Sequence, residues 1–124
     1  MNCPKCGWQM EKVVYQSVEI DRCKNCKGLW FDMLEQEDLK NLGGSERIDV
    51  GDAKVGKEYN KMGNIRCPSC NVDMIRMVDN EQPHIWYESC PVCYGVFFDA
   101  GEFRDYKEHN FVDRLKAIFS KERK

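Results

Sequence analysis

Cys26-Lys27-Gly28-Leu29-Trp30-Phe31-Asp32-Met33-Leu34-Glu35 and Cys93-Tyr94-Gly95-Val96-Phe97-Phe98-Asp99-Ala100-Gly101-Glu102 are two versions of one pattern. In each, three apolar residues in a row follow the glycine. Successive side chains of a strand point to opposite faces, so a strand of this kind is apolar on both. Its own small sheet covers one face. The other needs the following helix, the sister copy or a partner. Asp32 and Asp99 then stand three residues before Glu35 and Glu102, the spacing of a helix capping box. Gly28 and Gly95 fall two residues after a cysteine, where a tight turn needs a positive φ.

Working outward, every cysteine belongs to a C-x2-C pair: Cys3/Cys6, Cys23/Cys26, Cys67/Cys70 and Cys90/Cys93. The gaps inside the two halves are 16 and 19 residues, against 40 between the halves. Two pairs at that separation suit a four-thiolate zinc site. Zinc takes four ligands in a tetrahedron, and a C-x2-C turn supplies two thiolates from one tight loop. The expected ligands are therefore Cys3, Cys6, Cys23 and Cys26 for one zinc ion and Cys67, Cys70, Cys90 and Cys93 for a second. Four protein thiolates leave no position open for water or substrate, so the metal reads as structural. Iron is the sharper alternative, since rubredoxin-type electron carriers also use paired-cysteine turns. Cys3-Pro4-Lys5-Cys6-Gly7 is similar to such a turn, but the other three turns lack a glycine after the second cysteine. A thioredoxin-like dithiol needs one pair at a helix start, not four.

The halves repeat beyond the cysteines. Met10 matches Met74, Val14 matches Val78, and Val18–Cys23 matches Ile85–Cys90, with three extra residues in the second copy. This is a tandem duplication of one metal-bound unit. Met10 to Tyr15 with Val18 to Arg22, and Met74 to Val78 with Ile85 to Glu88, read as hairpins rich in strand-forming side chains. A helix is expected over Met33 to Leu42, ended by Gly43-Gly44. A second is expected from about Ala100, carrying Phe103 and Tyr106, with a break at His109-Asn110. Phe111, Leu115, Ile118 and Phe119 then mark an amphipathic C-terminal helix. The domain reading is 1–42 first unit and helix, 43–64 a glycine-rich, loosely packed linker, 65–109 second unit and helix, and 110–124 the amphipathic helix.

The pattern CPxC…CxxCxG, then hydrophobic-aromatic-hydrophobic-D-x-x-E, resembles the transcription-factor-IIB-type zinc ribbon. Both copies match, over about residues 1–42 and 65–107. The resemblance implies a zinc-ribbon fold, one zinc ion per copy, no enzymatic activity and a nucleic-acid or transcription setting. The fold class is thus small, metal-stabilised α+β. It consists of tandem zinc ribbons, each a short antiparallel hairpin with zinc knuckles followed by a helix, plus the C-terminal amphipathic helix.

Composition narrows the function. The 124 residues carry 19 Lys and Arg against 21 Asp and Glu, a formal charge of −2. A four-thiolate zinc site carries about −2 itself, so two take the total from −2 to about −6. Affinity for nucleic acid driven by net charge is therefore excluded, and any contact is local. Mean hydropathy of −0.66 with no long apolar run gives no membrane span. Charged residues from Lys5 onward leave no room for a signal peptide, so the expected location is cytoplasmic. There, disulfides are disfavoured and paired cysteines mean metal. Residues 111–124 hold five basic and two acidic side chains, +3, which could touch phosphate or an acidic partner. Trp8, Trp30 and Trp86 could stack on bases. Trp30 lies in the doubly apolar strand and reads as core, leaving Trp8 and Trp86 as exposed candidates. Asp32, Glu35, Asp99 and Glu102 could form an acid–base set, but capping accounts for their spacing. With both metal shells full, His84 and His109 read as loop and break residues.

No nucleophile–base pair, open metal position or small-molecule site is visible, so no catalytic residue is assigned. The expected role is a non-enzymatic binding module, a protein-interaction adaptor in a transcription or nucleic-acid context, with a protein partner or self-association. A direct nucleic-acid-binding ribbon and a rubredoxin-like iron carrier are the alternatives. Freshly purified, reduced protein should be colourless and hold two zinc ions per chain by metal analysis. A red protein would make the metal iron, and one metal ion or none would refute the ligand assignment.

Overall fold

The structure, a computed structural model, describes residues 1–32, 35, 39, 42–62, 65–78 and 85–106. Each unit starts from the hairpin its β-branched residues favour. In the first, β1 (Met10–Tyr15) pairs antiparallel with β2 (Val18–Cys23), in register from Met10 opposite Cys23 to Tyr15 opposite Val18. Gln16 and Ser17 join them with φ of 46° and 71°. Two positive φ values twist a two-residue turn to match its strands. β3 (Leu29–Phe31) then pairs with β2. The second unit repeats this with β4 (Ile75–Val78), β5 (Trp86–Ser89) and β6 (Val96–Phe98).

The two three-stranded sheets join through their apolar strands. β3 and β6 pair antiparallel, giving one six-stranded sheet in the order β1-β2-β3-β6-β5-β4. Leu29 faces Phe98, Trp30 faces Phe97 and Phe31 faces Val96. Trp30 and Phe97 are equivalent residues of the two copies, so the pairing is pseudo-twofold about them, as in an isologous dimer interface. The sister copy thus closes the edge of each β3-type strand. On one face Trp30 and Phe97 pack among the cysteines with Met10, Met74 and Ile65. On the other, Leu29, Phe31, Val96 and Phe98 join Ile20, Ile85, Leu39, Ile48, Phe103 and Tyr106. Phe31 meets Phe98 edge-on at 5.7 Å, and Tyr87 stacks on Phe98 at 5.1 Å. Trp30, Phe31, Phe97 and Phe98 are fully buried. Each such side chain contributes roughly 1.5–3 kcal/mol on burial.

The segment expected to be a loose linker is instead built into the fold. A 3-10 turn (Ser45–Ile48) brings Ile48 into the core, and Arg22 donates to the Ile48 carbonyl at 3.0 Å. Helix α1 (Ala53–Asn60) follows, N-capped by Asp52, whose side chain accepts from the Lys54 amide at 2.9 Å. A Cβ on Gly56 would lie 1.9 Å from the Ala100 carbonyl oxygen, so α1 rests directly on the second unit's backbone. Its small residues permit the approach, which is why few large apolar groups were needed there.

Residues 102–106 are helical, and Phe103 and Tyr106 are buried. Of the helix expected over Met33 to Leu42, only Glu35, Leu39 and Leu42 are described. His84, His109 and the C-terminal helix expected over 110–124 lie outside the described residues.

Gly28 and Gly95 serve a different purpose from the one expected. The positive φ falls one residue earlier, on Lys27 (64°) and Tyr94 (61°). A Cβ on Gly28 would sit 2.2 Å from Cζ of Phe97, and one on Gly95 2.3 Å from Cζ2 of Trp30. Each glycine makes room for the other unit's central aromatic ring. Gly28→Ala and Gly95→Ala should each destabilise by ~1–3 kcal/mol in urea denaturation, because fully buried rings cannot move aside. Gly43→Ala, with nothing among the described residues within 4 Å of the new Cβ, should stay within about 0.5 kcal/mol of wild type.

Candidate metal centre

Each unit folds so that a knuckle before β1 or β4 faces a knuckle before β3 or β6. In all four, the residue after the second cysteine is left-handed: Gly7 (79°), Lys27 (64°), Asn71 (55°) and Tyr94 (61°). Gly7, Asn71 and Tyr94 donate their amides to the carbonyls of Cys3, Cys67 and Cys90 at 2.9–3.0 Å, closing each turn. Three side-chain-bearing residues therefore adopt the turn for which only Gly7 is preadapted, so a missing glycine is no mark against a knuckle. The turns also aim amides at sulfur. Asn25 donates to Cys23 Sγ at 3.4 Å, Cys70 to Cys67 Sγ at 3.3 Å, and both Val92 and Cys93 to Cys90 Sγ at 3.4 Å. Such bonds favour the thiolate that a metal requires.

The expected ligand sets come together. Cys3, Cys6, Cys23 and Cys26 form one group and Cys67, Cys70, Cys90 and Cys93 the other, the sulfurs of each lying within 4.8 Å of one another. Across the facing knuckles, Cys3–Cys26 is 3.7 Å, Cys6–Cys23 3.3 Å and Cys67–Cys93 3.7 Å. A tetrahedron with bonds of ~2.3 Å separates its sulfurs by ~3.8 Å. The groups therefore have the donor set and spacing to hold one zinc ion each, and no cysteine is in a disulfide. Crowding polarises the thiols: the Cys26 hydrogen bond lowers Cys3 to about 5 and raises Cys26 in turn. When bound, zinc supplies a rigid cross-link and replaces those protons.

Beside the first site lies a buried ion cluster. Lys5, between Cys3 and Cys6, reaches into the second unit. Its Nζ lies 2.8 Å from Glu88 Oε1 and 2.7 Å from Asp99 Oδ2, and donates to the Tyr59 carbonyl at 3.0 Å. Its side chain is fully buried, 5.7 Å from the Phe97 ring centroid. Arg76 Nη2 also contacts Glu88 Oε1, at 3.3 Å. Glu88 Oε2 and Asp99 Oδ1 are buried without a hydrogen-bond partner among the described residues. Burial raises Asp99 to about 6 against the pull of Lys5, and burial with the neighbouring Asp99 charge raises Glu102 to about 7.

Asp99 is therefore not the side-chain cap its spacing suggests. One of its oxygens is bound to Lys5 and the other has no partner among the described residues. The capping carboxylate comes from Asp49, whose Oδ1 and Oδ2 accept from the Gly101 and Arg104 amides at 2.9 and 3.0 Å. The first copy follows the expectation more closely: Glu35 Oε1 accepts from the Asp32 amide at 2.9 Å. Sequence reasoning passed over Lys5, Asp49, Asp21 and Glu88. A signal existed for the last two, since an acid stands two residues before the third cysteine of each copy.

The transcription factor zinc-finger family, a transcription-factor-IIB-type zinc ribbon, matches residues 2–42 and 66–109. The chain belongs to this family. Its two matches coincide with the two four-cysteine groups, and zinc is the metal this zinc-ribbon family binds there. No curated protein and no solved structure matches the chain. Among the described residues, no helix is long and apolar enough to cross a membrane.

Lys5→Met should cost ~3–5 kcal/mol in chemical denaturation, because it leaves two buried carboxylates without their shared cation. Adding Glu88→Gln and Asp99→Asn should recover most of that loss. A single variant that loses less than about 1 kcal/mol would show that the cluster does not hold the units together.

Proposed function

We propose that this zinc-ribbon protein is a non-enzymatic adaptor that presents the tip of its second metal site to a protein partner. The carrying observation is the divergence of the two copies there. Val92, inside the Cys90–Cys93 knuckle, is 62% exposed, and Tyr94, directly after it, 60%. Their counterparts in the first copy are Asn25 and Lys27. The same turn is thus polar in one copy and apolar in the other, and large exposed aromatics are the side chains that anchor protein interfaces. With four thiolates around each metal, zinc's part is to hold the tip in shape. A direct nucleic-acid contact is the second reading, supported by the exposed Trp8 and the family's transcription setting.

The test transplants the first copy's residues. Val92→Asn with Tyr94→Lys keeps side chains that the fold already tolerates in that turn. The double variant should retain two zinc ions and its melting temperature. It should bind the partner that co-purifies stoichiometrically with wild type roughly tenfold more weakly, about 1.4 kcal/mol. Undiminished binding would overturn the assignment. So would a wild-type protein that shifts mixed single- and double-stranded nucleic acid and carries no protein.

A further inference from the structure

The two four-cysteine sites have the same ligands but not the same surroundings. Cys26 is 3% exposed and the adjoining Lys27 is half-buried, whereas their counterparts Cys93 and Tyr94 are half-buried and 60% exposed. In the facing knuckle, Lys5 is buried and its counterpart Ser69 is exposed. The remaining ligands match: Cys3 with Cys67 and Cys23 with Cys90 are buried, and Cys6 with Cys70 are half-buried. Among the ligands, the asymmetry therefore falls on Cys26 and Cys93.

One segment accounts for these differences. After the 3-10 turn, residues 49–60 run past the first site. A Cβ on Gly51 would lie 2.6 Å from the Lys27 Cβ, so the backbone there rests on the residue next to Cys26. Further on, the Tyr59 carbonyl accepts from Lys5, between Cys3 and Cys6, at 3.0 Å. The Tyr59 side chain packs against the core cluster that contains the cysteines. The segment is pinned from its other side by Asp49, which holds the Gly101 and Arg104 amides, and by Gly56 against the Ala100 carbonyl. Both knuckles of the first site are thus tied down, and a thiolate that swings away from the metal there must push against this segment.

A closed four-thiolate shell has no vacant position, so its ion exchanges only when a thiolate swings out. We infer that the second metal site is an exchange site, which takes up and gives up zinc through Cys93, while the first site keeps its ion. The chain is open to zinc supply at one end only, the end that carries Val92 and Tyr94.

Isotope exchange on the full-length, zinc-loaded chain tests this. Protein loaded with one zinc isotope is mixed with an excess of another and followed by native mass spectrometry, so both sites stay occupied throughout. Exchange should proceed in two phases of one ion each, at rates roughly tenfold or more apart, because the first site must open against α1. Iodoacetamide at low dose assigns the phases. Thiolate modification follows exposure, so Cys93 should react roughly tenfold faster than Cys26 in wild type. Tyr59→Ala strips cover from the first site and should speed the slow phase toward the fast one, with the fast phase unchanged. A single exchange rate for both ions would overturn the inference. So would Cys26 reacting as fast as Cys93, a comparison that needs wild type alone and decides the matter if Tyr59→Ala fails to load two ions. A slow phase unmoved in a fully loaded Tyr59→Ala protein would overturn it too, since the segment would then not be what holds the first ion.

Discussion

Everything in this molecule hangs on the pairing of β3 with β6. A single zinc ribbon of about forty residues is too small to bury a strand that is apolar on both faces, and domains of that size depend on metal or association for stability. Here the association is within one chain. Trp30 and Phe97 stand opposite each other at the pseudo-twofold centre and bridge the two metal groups. On the far face Phe31 and Phe98 meet edge-on in the second cluster. The two glycines that admit the Trp30 and Phe97 rings belong to the opposite units, so neither half can complete its core without the other. Metal binding in one half and packing in the other are parts of one cooperative unit.

Electrostatics reinforces that dependence. Lys5 belongs to the first metal knuckle, yet its charge is satisfied by Glu88 and Asp99 of the second unit. A buried charge set of this kind adds little net stability compared with a well-packed apolar core, but it penalises any arrangement that leaves a member unpaired. It therefore favours one alignment of the two units. Asp49 works in the same direction, since the segment leaving the first unit supplies the carboxylate that starts the second unit's helix.

Duplication also freed the copies to differ. The surfaces that pack against the sister are held by mutual constraint, whereas the knuckle tips point outward and have diverged from Asn25 and Lys27 to Val92 and Tyr94. An adaptor needs such a division: a rigid, metal-tied frame and a tip whose chemistry can change without disturbing it. The family membership agrees with structural zinc.

The ligand sets and the hairpins were legible from the chain because they are local. Cysteine spacing fixes which thiolates can share a metal, and alternation of strand formers fixes a hairpin whatever surrounds it. The doubly apolar strands also announced that cover was needed. What covers them was not legible, because Leu29–Phe31 and Val96–Phe98 would satisfy a helix, a sister or a partner equally; only the register of β3 on β6 chose the sister. Asp99 shows the same limit. Its spacing to Glu102 matches that of Asp32 to Glu35, yet its carboxylate turns to Lys5 while Asp49 takes the cap. Sequence separation conceals such contacts, since Lys5 and Asp99 are 94 positions apart and meet only when the two units close on each other. The metal-binding units and their duplication follow from the order of residues alone, because turns and ligand spacing act over a few residues. Tertiary structure decided how the units join and which acid serves which role, because a buried charge or ring is satisfied by whatever the fold brings to it.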